Sequence, residues 1–100
     1  MYKPRIELKY EDISSIFSEY DVVFKEIVGY GRVDPGEKEI ILREGLNEKD
    51  KRITLMHEIL HVFYDDINEL DICDEEFIEN EAEYYIEHKK DLVDFIISFL

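Results

Sequence analysis

The sequence predicts an α+β domain, and three observations predict it. Short alternating or β-branched runs are confined to the first 46 residues. Two long helical patterns, each opened by an N-capping residue, fill residues 47–90, and an apolar stretch occupies residues 91–100. Strands first and helices afterwards is the order of an α+β fold with one small sheet. The expected architecture is a three-stranded sheet packed on an HExxH helix and a second, ligand-bearing helix, with an apolar C-terminal helix. A chain of 100 residues suits one domain with one modest core.

Arg5-Ile6-Glu7-Leu8-Lys9-Tyr10 alternates and reads as a half-exposed strand. From Glu11 to Tyr20, Ile13, Ile16, Phe17 and Tyr20 recur at helical spacing. A second strand is expected over Val22 to Val28, ending at the Gly29-Tyr30-Gly31 turn. Asp34-Pro35-Gly36 is a strong turn signal, and Lys38 to Leu42 follows as a third strand, in a hairpin with the second. Asn47 caps a helix whose first turn carries Glu48 and Asp50 and which continues to about Asp66. Asp74 opens another acidic N-terminus, and its helical pattern runs to Lys89 or Lys90. Leu92, Val93, Phe95, Ile96, Ile97, Phe99 and Leu100 make the last helix apolar nearly all round.

Composition excludes several classes of partner. With 26 acidic residues against 12 basic ones and a formal net charge of -14, the chain lacks the Lys and Arg clusters that phosphate binding needs. An anionic membrane surface is disfavoured for the same reason, and no apolar run approaches the ~18 residues of a membrane span. Cys73 is the only cysteine. It excludes a disulfide framework, fits a reducing cytoplasm, and is expected as a small buried residue in the inter-helix loop.

His57-Glu58-Ile59-Leu60-His61 makes chemical sense on a helix. Residues four apart differ by about 40° around the axis, so both imidazoles can face one ion. Glu58 lies about 100° from His57, beside the metal, where a carboxylate can take a proton from zinc-activated water. Thr54, Glu58, His61, Tyr64, Asp65 and Asn68 form a polar stripe with His57, and apolar residues cover nearly all the rest. A helix apolar on most sides is buried, so the stripe should line a cleft. Zinc held by two histidines needs a third protein ligand and keeps a position for water or substrate. Glu residues at 75, 76, 79, 81, 83 and 87 crowd the next helix, and His88 is the only other histidine.

With Glu79-Asn80-Glu81-Ala82-Glu83 on that helix, the sequence resembles the gluzincin clan of metallopeptidases. It is similar to the soluble minigluzincins (projannalysin-like) and to the catalytic core of the HtpX and CAAX-prenyl-protease type. There the second motif reads Glu-x-x-Ala-Asp, with its first Glu on zinc. The resemblance implies Glu79 as third ligand and Glu83 as a group behind it that hydrogen-bonds a ligand histidine. Glu83 stands where Asp is usual. Glu81 is the rival ligand, because Asn80-Glu81-Ala82 resembles a thermolysin-type motif, and His88 is a further alternative.

The resemblance implies zinc-dependent hydrolysis of a peptide or unfolded protein, with Glu58 as general base and substrate lying along an edge strand, by analogy Lys38 to Leu42. Tyr64, Tyr84, Tyr85 and His88 are the candidates for stabilising the oxyanion. It also implies latency, with residues 91–100 blocking the cleft; packing on the domain's own core or on a second copy, as a homodimer, are the other uses of that helix. A zinc-containing sensor or interaction module without general proteolytic activity is the alternative function, and a metal-free helical interaction protein is the third.

Overall fold

The computed structural model describes residues 6–70 and 74–100, so Met1 to Arg5 of the N-terminal segment and Cys73 lie outside the described residues. The order is α1 (Tyr10–Glu19), β1 (Asp21–Lys25), β2 (Gly31–Asp34), β3 (Glu39–Arg43), α2 (Glu48–His61), a π-helical segment (Val62–Ile67), α3 (Glu75–His88) and α4 (Lys90–Ile97). The architecture is α+β, a three-stranded mixed sheet packed against helices. Among the described residues no helix is long and apolar enough to cross a membrane.

The strands differ from the sequence reading. Their spatial order is β1-β3-β2, with β1 parallel and β2 antiparallel to β3. Ile40, Ile41 and Leu42 are all buried, which suits a central strand covered on both faces. The expected edge at Lys38 to Leu42 is therefore the middle of the sheet, and its hairpin partner is β2. β2 escapes sequence reading because Gly-Arg-Val-Asp has neither length nor apolar alternation.

Ile6 to Lys9 forms no strand. Its backbone is held by tyrosine hydroxyls instead of a ladder. Leu8 N–H donates to Tyr85 Oη at 2.8 Å, and Tyr64 Oη lies 3.2 Å from the Ile6 carbonyl oxygen. The alternation of this segment reflects Leu8 entering the core, not pairing with a neighbour. α1 then begins at Tyr10, with Lys9 N–H donating to the Asp12 carboxylate at 2.9 Å.

The core joins Ile13, Ile16 and Tyr20 of the N-terminal part to Ile40 and Leu42 of β3. It continues through Leu55, Met56, Ile59 and Leu60 of α2 to Ile78, Ala82 and Tyr85 of α3. α2 and α3 pack together, and small Ala82 of α3 is buried in the core. Leu92, Val93 and Ile96 of α4 are buried in the same core. Asp94 of α4 also meets Arg52 of α2 at 3.2 Å.

Candidate metal centre

Two N-caps position the polar groups of this site. Asn47 Oδ1 accepts from Asp50 N–H at 2.8 Å and starts α2, which carries His57, Glu58 and His61 on its last turns. Asp74 Oδ1 accepts from Phe77 N–H at 3.2 Å and starts α3, making Glu75 its first residue. The Glu75 carboxylate reaches both imidazoles, 2.8 Å from His57 Nε2 and 3.1 Å from His61 Nε2. The two Nε2 atoms lie 3.2 Å apart.

This group could hold a metal ion: one donor atom from each of His57, His61 and Glu75 lies within 4.8 Å of the others. The spacing has a chemical meaning. Ligands about 2.0–2.1 Å from a tetrahedral ion are separated by roughly 3.3–3.4 Å. The observed contacts, 2.8, 3.1 and 3.2 Å, are all slightly shorter than that spacing. His61 Nδ1 lies 3.6 Å from Asp65 Oδ2, so its Nε2 is the nitrogen turned toward His57 and Glu75. Burial alone would raise the Glu75 pKa, but the adjoining His61 and His57 outweigh it and hold the carboxyl below its ordinary value.

Glu58 is 6% exposed. Burial pushes its carboxyl up to about 7, helped by the negative charge of Glu75 and opposed by His61. It lies against the start of β2. A Cβ built on Gly31 would stand 2.6 Å from Thr54 Cγ2, 3.0 Å from the Ile41 carbonyl oxygen and 3.3 Å from Glu58 Oε2. Only glycine lets β2 approach α2 this closely. Arg43 N–H donates to the Tyr30 carbonyl at 2.8 Å, so Tyr30, Arg32 and Asp34 turn their polar groups toward β3. The alternation of an antiparallel pair then leaves the N–H and C=O of Gly31 and Val33 on an edge that is free among the described residues. That edge borders a cleft of about 400 Å³ lined by Gly31, Val33, His57, Glu58, His61 and Glu75.

The π-helical segment shapes the far wall of the cleft. An i→i+5 turn advances by roughly 85° per residue in place of ~100°. Over three to five residues this rotates Tyr64 off the polar stripe and brings Asp66 toward it. Tyr64 is fully buried in the core, while Asp65 and Asp66 both line the cleft. Asp66 Oδ2 accepts from Tyr20 Oη at 3.0 Å and from Lys38 Nζ at 3.3 Å. Burial and the neighbouring Asp66 raise the Tyr20 pKa.

The other residues expected at the site stand outside the His57, His61 and Glu75 group. Glu79, one turn beyond Glu75, is exposed and borders a second depression with Tyr30, Ile53, His57 and Glu58; the carboxylate that meets the histidines is that of Glu75. Glu81 is buried and receives the Tyr64 hydroxyl at 3.2 Å. Glu83 is exposed and stands outside the His57, His61 and Glu75 group. His88 sits at the other end of α3, against Tyr84 at 5.1 Å between ring centroids, in a groove with Glu7 and Lys89. Tyr85 is buried and receives Leu8 N–H. None of Tyr64, Tyr84, Tyr85 and His88 lines the cleft beside the metal group, and neither does any residue of α4.

Sequence reading did not single out Glu75, whose approach to the histidines depends on how α3 packs against α2. It also missed Gly31, whose position at the head of a short strand marks close backbone approach. Comparison of the chain with protein-family models, curated proteins and solved structures finds no match.

Proposed function

We propose that this chain is a zinc-dependent peptidase domain acting on peptides or unfolded protein, with His57, His61 and Glu75 as the metal ligands and Glu58 as general base. The observation that carries the reading is the position of Glu58, a buried carboxyl between a three-donor metal group and a free strand edge. Two imidazoles and one carboxylate suit zinc, whereas calcium and magnesium prefer all-oxygen shells. A bound zinc ion supplies Lewis acidity, polarising a carbonyl and acidifying water.

The remaining work falls to the chain's own groups. Gly31 and Val33 offer backbone donors and acceptors to an extended peptide, which adds to the sheet as a further strand. Glu58 takes the proton of the attacking water and passes it to the departing amine. A raised pKa suits this exchange, because the group must both accept and release a proton near neutral pH. Asp65 positions His61. The lone cysteine fits a reducing compartment, and we place the domain in the cytoplasm.

Glu58→Gln tests the reading. Zinc-loaded wild type hydrolyses an unstructured protein, and the variant keeps its zinc but loses at least about 10²-fold in rate. Equal rates in the two proteins would overturn the mechanism. Zinc binding by wild type with no hydrolysis would assign the site to a sensor or interaction module.

A further inference from the structure

The other edge of the sheet carries a pattern complementary to itself. Among the described residues β1, Asp21-Val22-Val23-Phe24-Lys25, pairs only with β3. Asp21 N–H donates to the Lys38 carbonyl and Glu44 N–H to the Lys25 carbonyl, both at 3.0 Å. Asp21, Val23 and Lys25 therefore turn their polar groups inward to β3, and those of Val22 and Phe24 point out from the free edge. The side chains of Val22 and Phe24 lie on the helix side of the sheet, in register with Ile40 and Leu42. Phe24 is nevertheless 43% exposed. It borders an apolar groove formed with Phe17, Val22, Phe99 and Leu100. Phe17 and Phe99 stack at 4.2 Å, and Phe99 and Leu100 are each 43% exposed.

We propose that β1 is a homodimer interface, at which two copies pair edge to edge and antiparallel about a two-fold axis through Val23. Three features select this partner and this register. The outward groups of Val22 meet those of Phe24 of the partner subunit, so both hydrogen bonds of each pair form. Asp21 lies opposite Lys25 of the partner subunit, and symmetry repeats that charge pair at the other end. Phe24 of the partner subunit falls beside Val22, over the groove of Phe17 and Phe99. Registers centred on Val22 or Phe24 also keep the hydrogen bonds in phase, but they set a charged residue against Val23 and lose the ion pair. The dimer joins two three-stranded sheets into one of six strands and leaves the β2 edge free.

Sedimentation equilibrium at about 0.15 M salt, where repulsion between the two acidic chains is largely screened, tests the interface. Wild type is expected to show a concentration-dependent monomer–dimer equilibrium. Asp21→Lys places like charges opposite each other at both ends and weakens association by about tenfold or more. Adding Lys25→Asp to the same chain restores opposite charges and recovers the dimer. Circular dichroism verifies that each variant is folded. A wild type that stays monomeric up to about 1 mM, or a dimer indifferent to Asp21→Lys, would overturn the proposal.

Discussion

At Gly31 a single hydrogen atom decides how closely the sheet can approach α2. Any Cβ there meets Thr54 Cγ2 at 2.6 Å and the Ile41 carbonyl oxygen at 3.0 Å, and neither neighbour is the free end of a long side chain. Gly31→Ala should therefore destabilise the fold by about 1–3 kcal/mol through overpacking, as read by urea denaturation. An unchanged midpoint would contradict the close approach. Tyr64 makes a second prediction. Burial pushes its phenol up to about 12, with Glu81 adding to the rise and the Ile6 backbone opposing it. An unfolded tyrosine ionises near 10, so above that pH unfolding releases a proton the folded state retains. The stability Tyr64 contributes is whole below pH 10 and is lost as pH rises through about 12. Tyr64→Phe costs roughly 1–3 kcal/mol at pH 8, and its deficit shrinks as the pH is raised from 10 to 11. A constant deficit across that range would refute the assignment.

At the scale of elements, α4 behaves as core. Leu92, Val93 and Ile96 are buried against the rest of the domain, and each contributes about 1.5–3 kcal/mol of burial. Their sum is comparable with the ~5–15 kcal/mol that holds a domain of this size together. Deleting residues 90–100 should abolish the cooperative thermal transition seen by circular dichroism. A folded, more active truncated chain would instead restore the blocking role that the resemblance implied. The helices were the legible part of the sequence, because Asn47 and Asp74 mark their starts locally and both caps form. The sheet was not. β2 carries no periodic signal, and Ile6 to Lys9 alternates because two buried tyrosine hydroxyls from distant helices hold it. The π-helical segment was likewise invisible, and with it the turn of Asp66 into the cleft.

The whole molecule explains why the site was half legible. His57, Glu58 and His61 share one helix, so their spacing alone sets their mutual geometry. The third donor depends on how far α3 is displaced along α2, which packing around Ala82 and Tyr85 decides and no local pattern encodes. Glu75 and Glu79 both sit near that end of α3, and the observed offset brings Glu75 to the histidines. A metal held there joins α2 to α3, so binding also stabilises the folded state. The most direct measurement is zinc stoichiometry and affinity, by competition with a chelator, for wild type, Glu75→Ala and Glu79→Ala. The geometry predicts one zinc per chain in wild type, an affinity loss of at least about tenfold in Glu75→Ala, and near-wild-type binding in Glu79→Ala. Wild type that binds no zinc, or loss in Glu79→Ala with retention in Glu75→Ala, would contradict the metal centre described.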